Sequence, residues 1–123
     1  MIHAITIDFW NTIVDSNNGA ARRRVRDAAV AAVYRATGRP WNEEEATEAF
    51  RVSYETFEKH WHGEQRTLSA SDCLLVMWEH LGMQVDEDLH RRTAQVFEDS
   101  ILDGLPGLLP GARETLERLA ARV

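Results

Sequence analysis

A single cysteine, Cys73, stands in the whole chain, so no internal disulfide can form and a reducing compartment fits best. Proline and glycine are scarce, three and seven among 123 residues, which excludes collagen-like and low-complexity readings. No apolar run approaches the ~20 residues that a membrane-crossing helix requires, so no membrane partner is expected. Positive charge is in deficit. Against 20 Asp and Glu stand 14 Lys and Arg, a formal charge of −6 that repels phosphate backbones and argues against a nucleic-acid partner. Nothing basic precedes the apolar residues that open the chain, so residues 1–5 do not read as a signal peptide and a cytoplasmic protein is expected.

What is present is ordinary for a globular chain, 44% hydrophobic and 28% charged, and the length suits one domain, or one small domain with an appendage. Residues 2–8, Ile-His-Ala-Ile-Thr-Ile-Asp, are apolar on both alternating faces, as in a buried strand of a parallel sheet. A polar loop, residues 15–19, follows, and the rest reads as helix. A first helix over about 20–37 places Val25, Ala28, Ala29, Ala32, Val33 and Ala36 on one side and stops at Gly38. Asn42, with Glu45 three residues on, opens a second helix carrying an aromatic stripe, Phe50, Tyr54, Phe57 and Trp61, and ending at Gly63. Ser69 or Ser71 caps a third, with Leu74, Leu75, Met77, Trp78 and Leu81, closed by Gly82. Asp86 starts a fourth, with Leu89, Thr93, Val96, Phe97 and Ile101 inward. A turn-rich connection over 103–111 leads to a last helix near Ala112 with Leu116 and Leu119 on one face. Eight side chains are expected to be largely buried: Val33, Phe50, Tyr54, Phe57, Leu74, Trp78, Val96 and Phe97.

One strand without a second is an unbalanced layout, because its backbone groups need partners. The strand at 2–8 and the last helix, 112–123, are therefore expected to join copies of the chain into a homo-oligomer.

Chemistry concentrates in Ile5-Thr6-Ile7-Asp8-Phe9-Trp10-Asn11-Thr12-Ile13-Val14. An acid at the carboxyl end of an apolar strand lies where α/β sheets hold their ligands, although a strand-ending Asp can equally cap its own turn. This segment resembles the first motif of the haloacid dehalogenase-like hydrolases. The order of the rest agrees: a helical insert follows like the cap domain of that family, and Leu108-Leu109-Pro110-Gly111-Ala112 looks like the Pro-Gly helix that returns to its core. The resemblance implies an α/β protein by descent, mostly α-helical in the chain as given. It divides the chain into a first core strand and loop (1–18), a four-helix cap (19–103) and a returning segment (104–123), together the N-terminal part of such an enzyme.

By that resemblance Asp8 takes the nucleophile position, and Thr12 supports the turn and binds the transferring group together with Asn11 and Trp10. In metal-dependent members Asp8 and the backbone carbonyl of Trp10 would hold Mg²⁺. Asn11 stands where glycine is usual and tolerates the positive φ the turn needs. Trp10 stands where phosphatases carry an acid that protonates the leaving alkoxide. Indole cannot deliver that proton, which favours halide displacement at carbon over phosphate-ester cleavage. The family's later Ser/Thr, Lys and acidic pair have no counterpart in these 123 residues, so the isolated chain is expected to be inactive on its small anionic or halogenated substrates. The competing class is a non-enzymatic helical interaction module.

Other clusters carry less. His60 and His62 sit two apart on a helix and diverge, so they cannot share a metal. Cys73, beside Leu74, reads as a structural thiol. Arg22-Arg23-Arg24-Val25-Arg26 is the one basic cluster, either a solvated face or an anion contact. Followed by an aromatic helix it bears a superficial similarity to tetracycline-repressor-type DNA-binding regulators, but 43–62 lacks the break of a helix-turn-helix.

Overall fold

The structure is a computed structural model that describes residues 4–15 and 19–122. It is mostly helical: α1 (Gly19–Ala36), α2 (Glu43–Glu64), α3 (Ala70–Leu81), α4 (Glu87–Asp99), a 3₁₀ turn (Ser100–Gly104) and α5 (Ala112–Ala120). The helix starts follow local chemistry. Asn42 Oδ1 accepts from the Glu44 and Glu45 amides, and Asp86 accepts from the Leu89 amide. Of the two candidate serines, Ser69 caps α3, in a reciprocal box with Asp72. Gly82 closes α3 in the left-handed conformation, φ 61°.

The end of α2 departs from expectation. Gly63 lies inside the helix, and Gln65 takes the left-handed stop at φ 52°, its amide donating to the His60 carbonyl. A non-glycine residue in that conformation costs roughly 1–2 kcal/mol, so nothing forces the stop back to the glycine two residues earlier except that modest difference.

Tertiary contacts run α2 on α3, α3 on α4, and α1 on α4 and the 3₁₀ turn. The core collects Val30, Val33, Tyr34, Ala49, Leu74, Met77, Trp78, Leu81, Ala94 and Phe97. Of the eight expected core residues, Val33, Leu74, Trp78 and Phe97 are buried and Phe50 and Phe57 half-buried, whereas Tyr54 and Val96 are exposed. Of the aromatic stripe of α2, Phe50 packs against the core, stacked on Phe97 with ring centres 5.9 Å apart, but the stripe is not the most buried face of the helix. That face is Ala46, Ala49 and Ser53, small residues that let α2 lie close on α3, with the Ser53 hydroxyl donating to the Cys73 carbonyl at 2.9 Å. Phe57 and Trp61 stack on each other instead, ring centres 6.4 Å apart.

The inward face of α1 keeps Val33 and Ala29 of the side read from sequence but differs in the rest. It is Val30, Val33 and Tyr34, preceded one turn and two turns earlier by Arg26 and Arg23, while Ala28 and Ala36 are exposed. Arginine on an inward face is legible only once its partners are known. Arg26 Nε donates to Ser100 Oγ at 2.9 Å and its guanidinium lies over the Phe97 ring, while Arg23 pairs with Asp27 and lies 4.2 Å from the Phe50 ring centre.

The expected strand is not found. Residues 4–9 belong to no helix or strand, and residues 2 and 3 lie outside the described residues. Isolated bridges, Trp10 with Val14 and Val14 with Leu108, are the β pairings among the described residues. The physical reason is the one the sequence raised: no second apolar segment is available to complete a ladder. α5 is amphipathic, yet buries none of its residues.

Candidate functional site

Residues 8–14 form a compact loop. The Ile13 and Val14 amides both donate to the Phe9 carbonyl, at 3.0 and 3.2 Å, and the Asn11 amide donates to the Val14 carbonyl at 2.8 Å. That closure requires a left-handed residue at its apex, and Asn11 supplies it with φ 56°. The Thr12 hydroxyl then reaches back four residues and donates to Asp8 Oδ2 at 3.0 Å. One carboxylate oxygen is held, and among the described residues no donor reaches Oδ1. Phe9 and Trp10 stand beside it edge to face, ring centres 5.2 Å apart, and both are half in solvent.

The loop is anchored from behind. Val14 is buried, the Leu109 amide donates to the Ile13 carbonyl at 2.9 Å, and the Asp15 amide donates to the Gly107 carbonyl at 2.9 Å. The Asp8 loop and the connection leading to Pro110-Gly111 and α5 are therefore neighbours. The two sequence pieces that carried the family resemblance, far apart in the chain, meet here. Asp8, Trp10, Asn11 and Thr12 are brought together within one turn, and no side chain from α1–α4 is hydrogen-bonded to them among the described residues.

A metal would find two hard oxygens here, Asp8 Oδ1 and the Trp10 carbonyl, which suit Mg²⁺ in kind. They do not make a site by themselves, and among the described residues no group of three His, Cys, Asp or Glu side chains is placed to hold an ion.

Three other constellations were missed by sequence reading or weighed there. Ser71 Oγ lies 2.7 Å from His90 Nε2, a spacing that looks like a nucleophile and its base. The Trp78 indole N–H donates to His90 Nδ1 at 3.1 Å, however, so the neutral ring carries its proton on Nε2 and donates to Ser71. A base needs the opposite tautomer, and this trio is a structural clasp. His60 Nδ1 faces the Thr56 carbonyl and His62 Nε2 faces Glu58, separate partners for the two histidines. Cys73 is half-buried and burial pushes its thiol up from the ordinary value, the opposite of an activated nucleophile.

Two open grooves, of about 570 and 400 Å³, adjoin at the α1–α2 junction, sharing Arg39, Glu44 and Glu45. Arg39 is already engaged there, paired with Glu45 at 2.7 Å, donating to the Leu81 carbonyl and lying over the Tyr34 ring. The grooves do not include the Asp8 loop. Among the described residues no helix is long and apolar enough to cross a membrane. Comparison of the chain with models of known families, with curated proteins and with solved structures found no match.

Proposed function

We propose that this chain carries the nucleophile loop and helical cap of a haloacid dehalogenase-like hydrolase, α/β by descent, with Asp8 as the attacking carboxylate. The observation that supports it most is the Thr12–Asp8 hydrogen bond across a turn whose apex is left-handed Asn11. The hydroxyl holds Oδ2 and fixes the carboxylate plane, leaving Oδ1 to attack.

Trp10 beside Asp8 favours halide displacement. Asp8 Oδ1 forms a C–O bond as the C–halogen bond breaks, and the halide leaves with the bonding pair. Water then adds to the Asp8 ester, restoring the carboxylate, releasing a 2-hydroxy acid and giving its proton to solvent. No leaving-group acid is required, which is why an indole at this position is compatible with the step. Phe9 and Trp10 supply an apolar wall against the carbon chain of a small 2-haloacid. Mg²⁺ would belong to phosphoryl-transfer chemistry, and no step of the displacement uses it.

Amide chemical shifts report binding directly. On titration with 2-chloropropionate, the amides of residues 9–14 are expected to move, and the movement to change in Asp8→Asn. Inorganic phosphate with Mg²⁺ forms a second arm. A response to phosphate alone would transfer the reading to phosphoryl chemistry, and shifts confined to the α1–α2 groove would overturn the Asp8 site.

A non-enzymatic interaction module is the second reading, favoured by the exposure of Phe9, Trp10, Leu102 and Leu105.

A further inference from the structure

The packed face of α1 continues beyond its apolar residues toward the start of the helix. Back from Val30 in steps of four, the next two positions are Arg26 and Arg22, both half-buried. Arg23 pairs with Asp27, but among the described residues no carboxylate pairs with Arg22 or Arg26. Arg26 donates from Nε to Ser100 Oγ at 2.9 Å and from Nη2 to the Phe97 carbonyl at 3.2 Å, both neutral acceptors. Arg22 Nε is buried and meets no acceptor among the described residues.

We infer that Arg22 and Arg26 form a binding site for a phosphate dianion, which accepts from the Nε–Nη edge of Arg22 and from Nη1 of Arg26. This goes beyond the hydrolase reading and does not depend on it, because no side chain of α1 is hydrogen-bonded to the Asp8 loop among the described residues.

The buried Nε is the first ground. Buried donors in folded proteins almost always have an acceptor, and a guanidinium, which only donates, can be satisfied in no other way. The sequence holds 20 Asp and Glu, yet α1 has no acid in its first turn to serve Arg22.

Unbalanced charge is the second ground. Burial, and after it the neighbouring Arg22 charge, hold the Arg26 guanidinium below its ordinary value, opposed by the Cys73 thiol and by no carboxylate. Residues four apart on a helix have Cβ atoms about 5–6 Å apart, which one tetrahedral group between two forks can span. A dianion matches two guanidiniums, whereas a single carboxylate fills one fork and balances one charge. Ser100 and Phe97 hold Arg26 in place, so half of the site is already ordered.

The net charge of −6 opposes every anion at long range, but at physiological salt that field is screened beyond about 8 Å. The neighbouring pair then decides for a small ligand. A polyanion would extend past the pair onto acidic surface, so the fitting ligand is free phosphate or the terminal group of a phosphomonoester.

The Nε–H resonances of the arginines read the site directly. Inorganic phosphate, titrated at constant ionic strength above its second ionisation, is expected to move the Arg22 and Arg26 signals along one saturating curve. Arg22→Gln should weaken that binding at least tenfold at Arg26, while Arg24→Gln, an exposed position on the same helix, leaves it unchanged. Helical content is checked for both variants. Methyl phosphate matching the curve assigns a phosphomonoester, and methyl phosphate failing where inorganic phosphate binds assigns the free ion. An unmoved Arg22 signal overturns the inference. So does an equal response to chloride, undiminished binding in Arg22→Gln, or movement confined to residues 9–14.

Discussion

The Trp78 indole N–H donates to His90 Nδ1 at 3.1 Å, and the same imidazole reaches Ser71 through Nε2 at 2.7 Å, so one ring in α4 ties down both ends of α3. Trp78 is buried, and removing its acceptor leaves a buried N–H without a partner. His90→Leu is expected to lower stability by about 1–3 kcal/mol in urea unfolding. In a Trp78→Phe background the same change should cost far less, because the orphaned donor is gone. Equal losses in both backgrounds would contradict the clasp.

Tyr34 presents the opposite case. Its side chain is 0% exposed and its hydroxyl has no hydrogen-bond partner among the described residues. Tyr34→Phe keeps the ring against Trp41 and under Arg39 while deleting the unpaired group. The expected outcome is unchanged or increased stability, by up to about 1 kcal/mol. Burial also pushes the phenol above its ordinary value near 10. The folded state therefore holds this proton more tightly than the unfolded chain, and stability falls as pH rises past 10. Tyr34→Phe should flatten that alkaline fall, and a thermal melt series over alkaline pH measures it.

The capping box of α3 sets a dependence on the acid side. Ser69 donates to Asp72 through both its hydroxyl and its amide, and these bonds hold the Asp72 carboxyl below its ordinary value. A depressed carboxyl contributes stability above the ordinary value of about 4 and loses it as pH falls through the folded value. Ser69→Ala is expected to cost about 1 kcal/mol near neutral pH. The difference from the parent chain should shrink in acid, and a difference that grows as pH falls would reverse the assignment.

The helix ends were written in local residues: Asn42, Ser69, Asp86 and Gly82 act where their side chains or backbone freedom say they should. The left-handed Asn11 was legible for the same reason. The faces were less so. Arg23 and Arg26 lie on the packed side of α1 because Phe50, Phe97 and Ser100 receive them, and those partners are distant in sequence. The α2 stripe was legible only in part: Phe50 reaches the core, while Tyr54 and Trp61 stay exposed because Ala46, Ala49 and Ser53 allow the closer approach to α3. The His90 clasp had no sequence signal, since Ser71, Trp78 and His90 follow no motif spacing. The 4–9 segment has the composition of a strand, but a strand is a property of two segments, and composition describes one.

Steady-state assays on the isolated chain are expected to show no turnover of 2-haloacids or phosphate esters, with or without Mg²⁺. The Asp8 loop has no cation hydrogen-bonded to it among the described residues to balance the charge that develops on reaction. Turnover that disappears in Asp8→Asn would contradict this and show that a second chain completes the site.

A single covalent event tests the nucleophile itself without requiring turnover. The chain is incubated with excess 2-chloropropionate, digested and mapped by mass spectrometry, which separates any Cys73 adduct from carboxylate esters. An ester at Asp8, formed ahead of every other carboxylate and absent in Asp8→Asn, is the predicted result. Esters spread evenly over the acidic residues, or none at Asp8 when others react, would contradict it.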